Sequence, residues 1–374
     1  MNIAFLCTSA SWGGLEMNMI RLAHRMQDRG HTILVLTHAG TPYHNKAQEY
    51  HFSCEILEVK YPYLSLAAAK QLAVKLTQHQ IQFIFFSLAK DNYVCSYAKF
   101  FFKKELKLLY LQQMEVGINK KGLLQTFIYR QLNAWITPLH LLAKQVLART
   151  YMAPEKIKVI PLGTDTERFA GYLGTKEEAR KQLGLPADAF VAGILGRIDP
   201  DKGQEYLIKA LPLLLKKNKE IHVVIVGEES RGDTRKYPQY LQNLVQELNV
   251  GKFVHFRPFT EQTEVAFAAL NIFVMASSLG ETYGMVTVEA MASGIPVIGT
   301  NSGGTPELLD FGKAGLLVPP KDPDALAAAI EKLMTDKLLW EELRTTASQR
   351  ALTKYSYQLQ CDLLEQLLKT TDKE

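Results

Sequence analysis

The chain has 374 residues, of which 47% are hydrophobic and 22% are charged. This length suits two ordinary domains, and the composition excludes a disordered, collagen-like or coiled-coil protein. The net charge of +5 is unevenly divided, because residues 1–165 hold 19 Lys and Arg against 10 Asp and Glu, which is +9 and leaves −4 for the remainder. The basic first half predicts an acidic partner, whether a lipid surface, an anionic substrate or nucleic acid.

We expect neither a targeting segment nor a membrane-spanning segment in this chain. No apolar run approaches the ~18 residues that span a bilayer, and the short apolar N-terminal stretch lacks the basic region of a signal peptide. The four cysteines are far apart and match no zinc or redox spacing: Cys7, Cys54, Cys95 and Cys361. We therefore expect a cytoplasmic protein with reduced thiols.

The first half of the chain alternates strand-like and helix-like patterns. The apolar run Asn2–Cys7 is typical of a buried strand, and helical spacing from Leu15 to Met26 predicts a helix that Gly30 ends. Further apolar runs predict strands at His31–Thr37, Phe83–Phe86, Leu108–Leu111, Trp135–Thr137 and Lys158–Ile160. Residues 161–188 carry turn residues and one short helix, which predicts a linker region.

The second half repeats the alternation. Strands are predicted at Phe190–Leu195, His222–Val226, Phe253–Phe256, Ile272–Met275, Val297–Gly299 and Leu316–Val318, with helices between them such as Gln204–Lys216 and Tyr240–Leu248. Alternating strands and helices indicate parallel sheets covered on both faces. We predict an α/β protein of two Rossmann-like doubly wound domains, residues 1–165 and 166–354, facing across a cleft, with ligands beyond the carboxyl ends of the strands.

The first candidate site is the segment from Gly196 to Gly203, which follows a predicted strand and opens a helix. Arg197 and Lys202 lie five residues apart on this loop. A planar guanidinium and a compact ammonium on one loop can hold two phosphates from different sides. The alternative is a solvated loop with incidental basic residues, which the strand–loop–helix context disfavours.

The second candidate site runs from Glu281 to Glu289, between a predicted strand and a helix. Backbone N–H groups around Gly284, Met285 and Val286 would form an anion site at the helix start. Glu289 lies among apolar residues, so its carboxylate needs a partner, which sugar hydroxyls could supply. The alternatives are a helix-dipole partner for Glu281 and a buried salt bridge for Glu289.

A third glycine-bearing turn follows the first predicted strand, at Gly13-Gly14. It lies at a helix start and could present amides to a phosphate. The sequence is not G-x-G-x-x-G, so a dinucleotide site is poorly supported. A tight turn without a ligand is the alternative interpretation.

Together these motifs resemble the retaining GT-B glycosyltransferases of family 4. The resemblance covers nearly the whole chain, and several loose motifs in order make it specific. The matching segments are Gly13–Glu16, Ile160–Asp165, Gly196–Gly203, Glu281–Glu289 with its Glu-x7-Glu pattern, Ala292–Val297 and Gly303–Glu307.

The resemblance implies roles for individual residues. Arg197, Lys202 and Glu281 would be catalytic, the first two on the donor phosphates and the third on the donor sugar. The remaining donor contacts would come from Gly14, Arg257, Gly284, Met285, Val286 and Glu289, with Glu289 on the ribose and the backbone near Arg257 beside the nucleobase. Asp91 and Gln113 would lie on the acceptor side, and the last helices, residues 355–374, would pack back on the first domain.

Three positions depart from the family pattern, all in or bordering the acceptor half. Gln113 stands near the place where many members have a histidine, and its amide could still donate a hydrogen bond to the sugar. Leu162 replaces an asparagine, and Leu139 replaces a serine.

The implied function is transfer of a hexosyl group from a nucleoside diphosphate sugar, as co-substrate, to an anionic or lipid-linked acceptor in cell-surface polysaccharide, lipopolysaccharide or glycolipid synthesis. We expect no cofactor and no metal, because Asp199-Pro-Asp201 lies in the phosphate loop and Asp322-Pro-Asp324 is typical of a helix start. The alternatives are a sugar-nucleotide 2-epimerase of the same shape and a binding or membrane-scaffold protein that has lost catalysis.

One stretch of the first half, Lys99–Lys107, mixes aromatic and basic residues, and Lys120-Lys121 forms a second basic patch. Such sequences can lie on an anionic membrane, which would place the protein at the inner face of the cell membrane. The alternative is a half-buried helix with solvated charges. Nucleic acid is not expected as a partner, because no nucleic-acid module accompanies the charge.

Overall fold

The computed structural model describes residues 1–61, 63, 65–217, 220–229 and 236–373. Within these residues the chain forms two compact units, each built on one parallel sheet. Unit 1 comprises Met1–Leu162 and the chain from Tyr357 onward, and unit 2 comprises Gly163–Ser356. The predicted pair of doubly wound α/β domains is confirmed. Glu374, the last residue of the predicted C-terminal segment, lies outside the described residues.

The unit 1 sheet has its topological switch point between its first and fourth strands. Its strands are β1 (Asn2–Cys7), β2 (Thr32–Thr37), β3 (Ser53–Ile56), β4 (Phe83–Phe86), β5 (Lys107–Leu111), β6 (Ala134–Thr137) and β7 (Ile157–Val159), in the order β3-β2-β1-β4-β5-β6-β7. The central strands are buried on both faces, which is why they are apolar runs in the sequence. The helices are α1 (Gly14–Asp28), α2 (Pro42–Glu49), α3 (Leu66–Gln78), α4 (Ala89–Phe101), α5 (Leu123–Arg130) and α6 (His140–Arg149).

The unit 2 sheet repeats this plan, with its switch point between the neighbouring strands β8 and β11. Its strands are β8 (Phe190–Leu195), β9 (Ile221–Val226), β10 (Val254–Arg257), β11 (Ile272–Met275), β12 (Val297–Thr300) and β13 (Leu316–Val318), in the order β10-β9-β8-β11-β12-β13. The chain builds outward from β8 to β10 and then crosses back to β11. Loops that follow β8 and β11 therefore emerge side by side at the carboxyl edge.

Nine helices accompany this sheet within the described part of unit 2. They are α7 (Thr166–Ala170), α8 (Lys176–Gln182), α9 (Gln204–Leu215), α10 (Tyr237–Glu247), α11 (Thr263–Ala268), α12 (Met285–Ala292), α13 (Thr305–Leu308), α14 (Pro323–Thr335) and α15 (Lys337–Lys354). The predicted start of α14 is confirmed, because the Asp322 side chain accepts a hydrogen bond from the Ala325 amide and Pro323 occupies the first turn.

The prediction of a linker at residues 161–188 is wrong. This segment forms α7 and α8, and both helices belong to unit 2. Arg180 on α8 is buried and donates hydrogen bonds to the Ala269 carbonyl (3.1 Å) and the Asn271 side chain (2.7 Å). Composition misled the prediction because turn residues surround two short helices whose long-range contacts the sequence does not display.

The last helix, α16 (Tyr357–Asp372), returns to unit 1 and packs on α1. Its buried face includes Cys361, Leu364 and Leu368, which join the core around β1 and α1. An ion cluster reinforces the contact, since Arg29 donates to Glu365 at 2.8 Å. Hydrogen bonds from Arg29 and then from His31 lower the pKa of Glu365 to about 2. Among the described helices, none is long and apolar enough to cross a membrane.

Candidate active site

Two loops meet at the switch point of the unit 2 sheet. Residues 196–203 follow β8 and residues 276–284 follow β11, the strands that neighbour each other there. The loops are joined by main-chain contact, because the Ser278 amide donates to the Asp201 carbonyl at 2.8 Å. The fold thus brings the first and second predicted sites together.

Lys202 and Glu281 form an ion pair across these two loops. The Lys202 Nζ lies 2.5 Å from Glu281 Oε1, and the Ser277 hydroxyl donates to the same oxygen at 2.6 Å. The pair is partly exposed, with 25% of the lysine side chain and 14% of the glutamate side chain accessible. A phosphate approaching Lys202 would therefore compete with a carboxylate already beside it.

Gly203 allows the two loops to approach this closely. Its φ of +71° lies in the left-handed region, and a Cβ atom at this position would lie 2.0 Å from the Ala276 carbonyl oxygen. Any side chain would push the loops apart. Gly203 also precedes α9, so the same residue sets the helix start and the loop contact.

A third loop, residues 301–304 after β12, supports Glu281 from the other side. The Gly304 amide donates to the Glu281 carbonyl at 2.6 Å, and Glu281 bridges with Gly303 in strand-like pairing. Gly303 has a φ of +60°, and a Cβ there would lie 2.4 Å from the Glu281 carbonyl oxygen. The backbone of Glu281 is thus held on both sides, which orients its carboxylate.

Helix α12 begins beside this ion pair. Gly284 is its N-cap residue with a φ of +95°, and Met285 and Val286 form the first turn, both half-buried. First-turn amides have no partner within the helix and favour an anion. Glu289 is half-buried one turn further along, on the same face as Met285 because four residues separate them.

Buried polar atoms near these loops lack a partner among the described residues. They include the Gln204 side-chain oxygen and the hydroxyls of Thr287 and Ser302. The Thr287 hydroxyl is close to the N-cap of α12, since it lies 3.4 Å from where a Cβ at Gly284 would be. An unpartnered buried polar group costs about 1–3 kcal/mol. These three oxygens are therefore buried hydrogen-bonding groups without a described partner beside the loops.

The two predicted arginines of unit 2 differ in their placement. Arg197 is exposed at the start of its loop, and its carbonyl accepts a hydrogen bond from Gln204 at 2.7 Å. The Arg257 guanidinium instead donates to the carbonyls of Leu183 and Gly184, at 2.5 and 3.1 Å. Arg257 therefore fixes the turn after α8 with its side chain, while its backbone ends β10 at the carboxyl edge.

The glycine turn of unit 1 is capped by its own helix. The Gly13 amide donates to the Glu16 carboxylate at 2.9 Å, so this N–H already has an anionic acceptor. Gly14 is exposed, and a Cβ there would meet no atom within 4 Å. The turn consequently offers open space at Gly14 rather than a cluster of unused amides.

Asp91 is buried at the switch point of the unit 1 sheet. Its carboxylate accepts a hydrogen bond from the Thr8 amide at 3.1 Å and another from the Thr8 hydroxyl, while Lys90 donates to the Thr8 carbonyl at 2.9 Å. Complete burial raises the pKa of Asp91 to about 6, although the Thr8 hydrogen bonds lower it. The Asp91 carboxylate therefore holds the loop after β1 in place through its hydrogen bonds with Thr8.

Gln113 is engaged on both sides of its amide. Its Nε2 donates to the Ser87 hydroxyl at 3.1 Å, and its Oε1 accepts from the Asn18 amide at 2.9 Å. Ser87 follows β4, so Gln113 also lies at the carboxyl edge of its sheet. The predicted acceptor-side residues Asp91 and Gln113 therefore share one edge of unit 1.

Within the described residues, no three His, Cys, Asp or Glu side chains gather as metal ligands would. The Asp199 carboxylate caps its own turn by accepting from the Asp201 amide at 2.9 Å. Asp322 caps α14 in the same way. Both Asp-x-Asp strings therefore have a local structural use for their first carboxylate.

Ser277 is the site residue that the sequence interpretation missed. It is buried, it contacts Glu281, and its carbonyl accepts from the Thr300 hydroxyl at 3.0 Å. The signal was the polar pair Ser277-Ser278, which follows the buried strand β11 after a single alanine. Polar residues at the carboxyl end of such a strand are typical of binding sites.

The fold and this site define a class: two doubly wound parallel-sheet domains of the GT-B type, with the candidate loops at a switch point of the second sheet. The chain matches the family model for glycosyl transferases group 1 over residues 175–354 and the model for glycosyltransferase family 4 over residues 12–168. The two matches together span most of the chain. The chain belongs to the group 1 glycosyltransferases.

Individual relatives agree with this assignment, and solved structures agree with the fold. A D-inositol 3-phosphate glycosyltransferase of Corynebacterium jeikeium is 36% identical over 220 residues, which is 56% of this chain and 51% of that protein. The chain thus matches about half the length of such curated relatives. Anabaena HepE in complex with UDP and glucose has a TM-score of 0.81 at 25% identity, covering 98% of both chains. A glycosyltransferase from Rickettsia africae has a TM-score of 0.87 at 18% identity, covering 99% of this chain and 98% of that one.

Proposed function

We propose that the chain transfers a hexosyl group from a nucleoside diphosphate sugar to an acceptor, with retention of configuration at the anomeric carbon. The observation that carries the proposal is the meeting of two loops at the unit 2 switch point, where Lys202 and Glu281 lie beside the start of α12. This arrangement offers cations and amides for a diphosphate and a carboxylate for sugar hydroxyls. The resemblance to the family supports the same roles.

The leaving nucleoside diphosphate gains charge as its bond to the anomeric carbon breaks. Arg197, Lys202 and the amides of residues 284–286 would stabilise that charge, because cations and amide donors close to a leaving group lower the energy of the transition state. The acceptor oxygen attaches on the face that the diphosphate leaves, and the departing phosphate takes the proton of the acceptor hydroxyl. The step therefore needs no enzyme nucleophile.

The ion pair between Lys202 and Glu281 implies that both side chains change partners when the donor binds. Donor phosphate would take Lys202 as its countercharge, which releases Glu281 to accept a hydrogen bond from a sugar hydroxyl. The Ser277 hydroxyl, 2.6 Å from Glu281 Oε1, would keep the carboxylate in place during the exchange. Glu289 would hold the ribose hydroxyls, and the Thr287 hydroxyl has an unused hydrogen-bonding capacity near the same helix start.

The comparisons guide the choice of substrates. Because HepE has been crystallised with UDP and glucose, UDP-glucose is the first donor to test. The relatives named for D-inositol 3-phosphate support an anionic acceptor, and the basic charge of residues 1–165 suits an anionic or lipid-linked one. We place the reaction in cell-surface polysaccharide, lipopolysaccharide or glycolipid synthesis, on the cytoplasmic side and at the inner face of the cell membrane.

We further propose that turnover needs neither metal nor cofactor. Lys202 and Arg197 supply the phosphate countercharge, and the first carboxylates of both Asp-x-Asp strings cap local structure. Turnover measured in EDTA should equal turnover without it. Loss of activity on chelation that Mg²⁺ or Mn²⁺ restores would contradict this.

The donor is identified by thermal unfolding of the full chain with a panel of UDP, GDP and ADP sugars. A donor present at 100 times its Kd stabilises the native state by about 2.7 kcal/mol, which for a unit of this size is a rise in Tm of about 5–10 °C. With the donor known, NMR of the glycosylated product reports its anomeric configuration. Inversion would contradict the proposed stereochemistry, and no shift with any member of the panel would contradict the donor site.

A further inference from the structure

An exposed strip of aromatic and aliphatic side chains lies on α4 and α5 of unit 1. Phe100, Phe101 and Phe102 at the end of α4 are each about half exposed, and Leu123 at the start of α5 is 94% exposed. Large apolar side chains grouped on a surface mark an interaction site, whereas isolated ones do not.

Ring contacts show that these side chains form one surface. Phe100 contacts Phe101 with ring centroids 4.9 Å apart, and it contacts Phe127 on α5 at 5.0 Å. Phe102 extends the strip beyond Phe101 at 6.2 Å. Phe127 lies four residues after Leu123, so both point from the same face of α5. The ring contact between Phe100 and Phe127 therefore joins the end of α4 to α5.

Lysine pairs flank both ends of the strip. Lys103 and Lys104 directly follow the phenylalanines, and Lys120 and Lys121 precede α5, separated from it by Gly122. Lys104 is exposed, whereas Lys103 pairs with Glu105 at 2.8 Å. Lys121 lies over the ring of Tyr151, 5.3 Å from its centroid, which adds another exposed aromatic side chain to this end.

Lys99, which directly precedes the phenylalanines, is a further basic side chain at the strip. Lys99 is half-buried and donates to the Gln131 carbonyl at 2.9 Å. Burial, and then the neighbouring charges of Lys156 and Lys107, lower the pKa of Lys99 to about 8. These cations lie close enough to raise one another's energy, so an anionic partner would relieve their repulsion.

We propose that the α4–α5 strip is a docking surface for an anionic lipid bilayer, with the phenylalanines and leucines entering the interface and the flanking lysines contacting lipid phosphates. An anionic bilayer has an apolar interior and negatively charged headgroups. Apolar side chains flanked by cations are therefore complementary to it. The excess of nine positive charges in residues 1–165 has the same sign. This inference rests on the proposed function in one respect only, namely that docking would bring the enzyme to a lipid-linked acceptor.

Co-sedimentation of the full chain with vesicles tests the surface without donor or acceptor. We expect binding to vesicles of equal parts phosphatidylglycerol and phosphatidylcholine, weak binding to phosphatidylcholine alone, and weakening at high salt, since charges are screened over ~10 Å at about 0.1 M. Lys104→Gln with Lys121→Gln should reduce the affinity about 25-fold, at about fivefold for each lysine. The matched control, Lys217→Gln with Lys313→Gln on exposed lysines of unit 2, should bind as the wild type does.

A second variant separates the apolar contribution. Phe101→Ser with Leu123→Ser changes one half-exposed and one almost fully exposed side chain, so Tm should fall by only a few degrees while binding to anionic vesicles falls at least tenfold. Absence of binding at low salt, or equal binding by the lysine variant and its control, would overturn the proposal. So would a dimer in light scattering that the Phe101→Ser variant dissociates. Donor binding by each variant is also measured by calorimetry. A variant that loses vesicle binding but still binds the donor has an intact donor site, so the two proposals can fail separately.

Discussion

Lys202→Ala should weaken nucleoside diphosphate binding far more than it weakens the fold. The Lys202 ammonium is partly exposed, so water weakens its ion pair with Glu281. Loss of this ion pair should lower the free energy of unfolding by about 1 kcal/mol or less. For a unit of this size that is a fall in Tm of about 2–4 °C. A hydrogen bond from a cation to a phosphate contributes about 1.5–3 kcal/mol, and exchange with Glu281 reduces the net gain toward the lower value.

Calorimetric titration with UDP should therefore give a Kd about tenfold higher for Lys202→Ala. Glu281→Gln removes the competing carboxylate, so it should bind UDP as well as the wild type or more tightly. Lys217→Ala serves as the control, because Lys217 pairs with Glu331 on another part of unit 2. An unchanged Kd for Lys202→Ala, or weaker UDP binding by Glu281→Gln, would refute the exchange of partners.

Three further predictions follow from particular contacts. Glu281→Gln should lower kcat, because it contacts the sugar that reacts, whereas Glu289→Gln should raise the donor KM; identical kinetic effects would contradict this division. Ser277→Ala removes the 2.6 Å hydrogen bond to Glu281 and should lower kcat about tenfold with little change in KM, and an unchanged kcat would refute a positioning role. The Asp91 pKa of about 6 exceeds its ordinary value of 3.8, so the ionised group costs stability above pH 6 and that cost disappears as pH falls to about 4. Urea unfolding should show the wild type gaining about 3 kcal/mol relative to Asp91→Asn between pH 7 and pH 4, whereas parallel curves would contradict the buried carboxylate.

Most strands could be predicted because parallel strands buried on both faces are continuous apolar runs. β1, β4, β8, β11 and β13 have the predicted bounds. β3 was missed because it is an edge strand with the sequence Ser-Cys-Glu-Ile, exposed or half-buried throughout. Its polar residues give neither an apolar run nor a clean alternation.

The candidate site could be predicted as separate loops but not as a set of contacts. Arg197, Lys202 and Glu281 stood out because each lies just after a buried strand. The pairing of Lys202 with Glu281 joins residues 79 positions apart, and only the crossover from β10 to β11 brings their loops together. Local signals succeeded where a contact is local, as with the Asp322 cap.

Burial of polar groups was the hardest property to predict. Asp91 lies in the first turn of α4, where a carboxylate is ordinary on any exposed helix. Its burial depends on Thr8, which is 83 residues away. The same holds for the Arg257 side chain, whose carbonyl acceptors belong to the turn after α8.

The most direct test of the account measures the release of UDP from UDP-glucose by the full chain. The wild type is compared with a double variant that carries both Arg197→Ala and Lys202→Ala, and Lys217→Ala serves as the control. If the panel of nucleotide sugars identifies another donor, that donor replaces UDP-glucose. We expect the wild type and the control to release nucleoside diphosphate, slowly by hydrolysis and faster with acceptor, and the double variant to fall at least 100-fold, as the loss of two contacts of about 1.5 kcal/mol each requires. A wild type that binds the donor without turning it over, or a double variant with full activity, would contradict the assignment of these loops as the catalytic centre.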